Sequence, residues 1–148
     1  MTPEHPRAGH EPLPADLLLA CARRVRRGMI QALEPVGLTP HHARALGTLD
    51  REGPMRLGTL ATALHVVPRS VTDVVDRLVA DGWATRIPDP HDRRAQVIET
   101  TPAGHELAQR VAEARRVAGE ELLAPLGPEE RAELVRLLGM LLEEDRQP

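Results

Sequence analysis

Arg93 and Arg94 close a run of Pro88, Asp89, Pro90, His91 and Asp92, and two prolines in so short a stretch stiffen it. A guanidinium held out on a stiff turn loses little freedom on meeting an anion, and its planar fork matches a phosphate, a carboxylate or the O6/N7 edge of guanine. Further up the chain, Pro68, Arg69, Ser70, Thr72, Asp73 and Arg77 set cations, hydroxyls and a carboxylate among apolar residues that recur at helical spacing. These groups bind; they are not arranged for catalysis. Ser70 is the only serine and has no convincing His and Asp companions, and the glycines form no phosphate loop, so no enzyme is expected. Cys21 is the one cysteine, which rules out an internal disulfide. His41 and His42, with Cys21 and His105, are soft and borderline donors of the kind that zinc takes. Adjacent histidines at a helix start point to different sides, so neither a metal site nor a cofactor is expected.

Composition narrows the partners. A chain of 148 residues is one domain, or a domain with an oligomerising element, and is long enough to bury a core. Trp83 is the only aromatic residue, which excludes the stacking platforms that single-stranded nucleic-acid binders use. All 19 basic residues are arginine and the net charge is −3, at face value a poor match for a polyanion. The charge is unevenly spread, however. Residues 1–50 carry 6 basic and 5 acidic groups, residues 51–94 carry 7 and 6, and residues 95–148 carry 6 and 11. A double-stranded DNA partner can still meet a locally positive middle. No apolar run is long enough for a bilayer, and the proline- and histidine-rich start lacks a secretory pattern, so the expected location is the cytoplasm with no membrane partner.

The elements that must position these groups follow from periodicity. Residues 1–13 read as a flexible leader. Leu18, Ala22, Val25, Met29 and Leu33 mark a first helix, broken at Glu34 to Gly37. Thr39 and Pro40 cap and open a second helix to about residue 51, with Ala45, Leu46 and Leu49 inside. Leu57, Leu60, Ala61 and Leu64 predict a short third helix. His65 to Val67 make a tight turn, and Pro68 starts a fourth whose Val71, Val74, Val75, Leu78 and Val79 form a stripe ended by Gly82. Strands are expected over residues 83–87 and 95–100, joined by a seven-residue polar loop. Thr101 and Pro102 open a long helix to about residue 123, and a last helix runs from about residue 128 to 144. Helix, short helix, tight turn, helix and hairpin is the order of a winged helix-turn-helix. The fold class is therefore mainly α, a winged helix-turn-helix, and the outer helices carry more leucine than one chain can hide, so they are expected to form a helical dimerisation region.

The segments LTPHHARALGTL, LATAL, VVPRSVTDVVDRLVADGW and TRIPDPHDRRAQVIETTPAG resemble the core of the MarR family of transcriptional regulators, over roughly residues 38–105. The most specific piece is DPHDRR ahead of a strand and a Thr-Pro helix start. The resemblance implies a homodimer in which residues 14–37 and 102–148 interlock while residues 38–101 bind a pseudo-palindromic duplex. It also implies a repressor released by a small-molecule effector.

On that reading the first turns of the fourth helix enter the major groove. Pro68 starts it, Arg69, Ser70, Thr72 and Asp73 address base edges, and Arg77 addresses a phosphate. Asp73 has a duller alternative, an intrahelical pair with Arg77. The resemblance gives Asp92 the task of orienting the hairpin and Arg94 that of entering the minor groove, with Arg93 on a phosphate. Thr39 and Arg44 are expected to meet phosphate at the start of the second helix, with Asp50 or Glu11 as competing partners for Arg44. Thr72 and Arg86 resemble positions of a family ligand site, although Arg86 could instead pair with Asp89 or Asp92. Val67 stands where the family has a hydroxyl residue, so the fourth helix is expected to lack its cap. The alternative function is a winged helix that binds protein and never touches DNA, in keeping with the net acid.

Overall fold

Proline opens five of the six helices, where its fixed φ suits the first turn and its missing N–H costs nothing. The computed structural model describes residues 12–143. The expected leader therefore lies outside the described residues except at its end, as do Glu11 and the residues after 143. The helices are α1 (Pro14–Leu33), α2 (Pro40–Glu52), α3 (Leu57–Ala63), α4 (Pro68–Ala80), α5 (Pro102–Leu123) and α6 (Pro128–Glu143), with a 3-10 turn at Glu34–Val36. Strands β1 (Ala84–Asp89) and β2 (Asp92–Thr100) pair antiparallel between α4 and α5.

The core joins the helices of the central unit. Leu46 and Leu49 of α2, Leu60 of α3, and Val71, Val75 and Leu78 of α4 are fully buried. Each such side chain contributes about 1.5–3 kcal/mol by leaving water. Trp83 is half-buried and packs against this cluster. A single antiparallel bridge between Met55 and Ile98 lays the segment before α3 along the free side of β2 and ties the hairpin to the helices.

The hairpin is where the expected boundaries fail. The strands run to Asp89 and from Asp92, so the turn is only Pro90 and His91, not a seven-residue loop. The ladder is regular from Ala84↔Thr100 to Pro88↔Gln96 and then shifts to Asp89↔Asp92. Arg93, Arg94 and Ala95 consequently have no partner across it. Side-chain capping explains the tight turn: Asp89 Oδ1 accepts the His91 N–H at 2.8 Å, and Asp92 Oδ1 accepts the Arg94 N–H at 3.0 Å. Pro88 is tolerated because β1 is an edge strand and need not donate on its outer side.

Two glycines hold the hairpin root. Gly82, at φ 76°, closes α4 with its N–H on the Val79 carbonyl, and Trp83 N–H follows onto the Leu78 carbonyl. Gly104 lies against the Trp83 carbonyl so closely that a Cβ there would collide with backbone. Thr101 sets that approach: its hydroxyl donates to the Gly82 carbonyl at 2.6 Å and accepts the Gly104 N–H at 3.1 Å.

The outer helices are packed differently. The chain of α1 runs along α5, close enough that a Cβ on Gly28 would come within 3.0 Å of the Ala118 Cβ. Leu17, Leu18 and Leu19 of α1 and Val135, Leu137, Met140, Leu141 and Leu142 of α6 remain exposed. Cys21 is exposed as well.

Candidate nucleic-acid interface

The stripe Val71, Val75 and Leu78 faces inward, so α4 must turn Arg69, Ser70 and Asp73 to solvent, and all three are exposed. Thr72 is half-buried and its hydroxyl donates to the Pro68 carbonyl at 3.3 Å, within its own helix. The missing cap is as expected: Val67 occupies the N-cap position with no side-chain bond and is 65% exposed. The turn before it is held by His65 in the left-handed region, φ 52°.

Charge pairing on α4 differs from the sequence reading. Arg77 does not pair back to Asp73; its Nε donates forward to Asp81 Oδ2 at 2.6 Å. Asp73 has no cationic partner among the described residues, and neither Arg69 nor Arg94 has an acidic one. Arg86 pairs with Asp76 of α4, not with Asp89 or Asp92, and so braces β1 against the helix. Alternation explains why Asp89 is passed over, since residues 86 and 89 are three apart along β1 and point to opposite faces.

Asp89 and Asp92 are instead met by a residue that the sequence did not single out. Arg56, at the N-cap of α3, donates from Nε to Asp89 Oδ2 at 2.7 Å and reaches Asp92 Oδ2 from Nη2 at 3.5 Å. Asp89 is only 6% exposed. The His91 N–H and then the Arg56 guanidinium hold its carboxyl below the ordinary carboxylate range, and the same contact raises Arg56. The two partners are 33 residues apart, so no local pattern announces them.

At the start of α2, Thr39 accepts the His42 N–H, so its hydroxyl caps the helix. Partial burial, with Arg77 nearby, lowers the pKa of the His42 ring. Arg44 does not pair with Asp50, which is taken by His105 Nδ1 at 2.6 Å; the other expected partner, Glu11, lies outside the described residues. Arg44 lines a cleft of about 720 Å3 between α1, α2 and α5, together with Arg26, Arg51 and Arg115. Thr72 and Arg86 are not among its lining residues.

The MarR family model matches residues 38–95, the stretch that holds α2, α3, α4 and most of the hairpin. The HTH-type transcriptional regulator PecS of Dickeya dadantii is 32% identical over 143 residues, covering 92% of this chain and 84% of PecS. The chain belongs to the MarR family. This MarR-family regulator is also 30% identical to the transcriptional activatory protein BadR of Rhodopseudomonas palustris, over 65% of its own length and 57% of BadR. Among solved structures, a cysteine-to-serine mutant of MarR from E. coli complexed with operator DNA superposes with a TM-score of 0.73 at 25% identity, covering 86% of this chain and 92% of that one. The mainly helical fold with a two-stranded wing is that of the MarR structures.

Proposed function

We propose that this MarR-family regulator is a homodimer that binds a pseudo-palindromic double-stranded operator, with α4 in the major groove and the hairpin on the adjacent minor groove. The observation that carries the reading is the outward face of α4. Arg69, Ser70 and Asp73 stand exposed there, and Arg69 and Asp73 have no charged partner among the described residues, while every neighbouring acid and base of α4 is paired. Side chains exposed on the first turns of the second helix of a helix-turn-helix are the ones placed to reach base edges. Pro68 sets the helix start, Arg94 reaches from the unpaired stretch of β2, Asp92 orients it, and Arg93 meets a phosphate. Arg77, Thr39 and Arg44 are weaker candidates: the first two are engaged within the fold, and Arg44 faces the cleft.

The exposed leucines of α1 and α6 support the homodimer, because a lone chain this small would leave a large apolar patch in water. A dimer that occupies a duplex excludes other proteins from it, which makes repression its simplest output. The effector is a small anion, since the cleft sets Arg26, Arg44, Arg51 and Arg115 against only Asp50 and Glu52.

The deciding experiment is selection of bound duplexes from a random DNA pool. An inverted repeat with half-sites about one helical turn apart is expected. Failure to prefer any sequence over bulk duplex would leave the protein-binding winged helix as the better reading. A reporter downstream of the selected site, falling in the presence of the protein, tests repression.

A further inference from the structure

Asp92 lies two residues before Arg94 and already accepts its main-chain N–H through Oδ1, so the other oxygen, Oδ2, is the natural trap for the Arg94 guanidinium. That oxygen is answered from outside the hairpin, by Arg56 Nη2. The Arg56 Nε meanwhile answers Asp89, one of the few polar side chains buried in the fold. One guanidinium thus serves both carboxylates of the turn, its planar fork spanning what an ammonium could not. Arg94 is exposed and free of any acidic partner among the described residues. Arg56 also stands at the N-cap of α3, next to the Met55 bridge to β2, so the same contacts tie the hairpin to the helix-turn-helix.

We propose that Arg56 is a positioning residue for the hairpin's contact with DNA. By occupying Asp89 and Asp92 it keeps Arg94 out of an internal ion pair and fixes the hairpin against α3. The inference rests on the reading that Arg94 contacts the duplex. Arg56 itself need not touch DNA, since its fork is turned onto the two acids. A purely stabilising role fits the pattern less well. The Asp92 arm of the contact is long and half exposed, and such an arm adds little to stability, whereas its effect on a neighbouring free cation is direct.

The test uses the full chain on a duplex that the wild type has selected from a random pool, titrated at several salt concentrations. Arg94→Ala should weaken binding about tenfold and reduce the salt slope by about one. Arg56→Gln should weaken it about three- to tenfold and flatten the slope in the same way, and should cost nothing further when Arg94→Ala is already present. Adding Asp92→Asn to Arg56→Gln removes the trap while keeping an acceptor for the Arg94 N–H, and should restore most of the affinity and the slope. Arg56→Lys keeps a charge for Asp89 but loses the second arm, so it should fold and still flatten the slope. Equal losses from Arg56→Gln with and without Arg94, or a lowered thermal midpoint with the salt slope unchanged, would reduce Arg56 to a structural residue and overturn the proposal. No effect of Arg94→Ala would strike first at the assigned hairpin contact, and this inference would go with it.

Discussion

The winged helix-turn-helix and the outer helices are built from the same residue types to opposite effect. In α2, α3 and α4 the leucines and valines meet one another inside one chain, and six of them are sealed from water. In α1 and α6 the leucines are as many and as regularly spaced, yet Leu141 is 63% exposed and no other element packs extensively against α6 among the described residues. A groove of about 500 Å3 along α6, lined by Leu126, Leu134 and Leu137 and rimmed by glutamates, stands open. The lesson is that apolar periodicity states that a face will be buried, not by what. The central unit finds its partner surfaces in the chain itself, whereas the leucines of α6 find none among the described residues.

Breaking the core should have the largest effect. Leu46→Ala removes a fully buried side chain where three helices converge and should cost about 2–5 kcal/mol in urea denaturation, at any protein concentration. The arms should respond in another currency. Leu137→Glu with Leu141→Glu should leave the far-UV spectrum largely intact but weaken self-association at least about 100-fold, or about 2.7 kcal/mol, read as a 16.2 kDa species in sedimentation at micromolar concentration. If both pairs of measurements behaved alike, the division between self-sufficient core and partner-dependent arms would be wrong.

Acid should sharpen the same division. The folded state holds Asp89 below its ordinary value of 3.8, so at a given low pH the unfolded chain binds the proton more readily. The stability this gives is fully present above that value and is lost as pH falls through the lower folded value. Asp89→Asn should therefore flatten the acid limb of a denaturation series below about pH 4, with a change in hairpin stability and none in self-association. The smallest effect concerns His65, which sits at positive φ in the helix-turn-helix turn. His65→Gly should raise stability by up to about 1 kcal/mol by relieving the backbone, less whatever the glycine adds to the freedom of the unfolded chain.

Much of this molecule was legible as sequence. Helix starts at Pro14, Pro40, Pro68 and Pro102 are local events, fixed by a proline's φ and, at Thr39 and Thr101, by a hydroxyl three residues from the N–H it caps. The inward stripe of α4, and hence the outward Arg69, Ser70 and Asp73, follows from the 3.6-residue repeat alone. The uncapped Val67 was equally local. The turn of the hairpin is shorter than its composition suggests: two prolines and four charges read as a loop, whereas the carboxylates of Asp89 and Asp92 fold back onto main-chain N–H groups and draw the strands together.

What the chain dictated unaided was most of what has its cause within about one helical turn: caps, stripes, breaks, and which residues stand on which face, with the carboxylate-capped hairpin turn as the exception. The choice among charged partners belonged to the tertiary structure. Arg77 faced two acids at equal helical spacing and took Asp81, Arg86 took Asp76 across the α4–β1 seam, and Asp89 took an arginine 33 positions away. Ion pairing acts over a few ångströms of space and is blind to distance along the backbone, so only the packed fold could decide it.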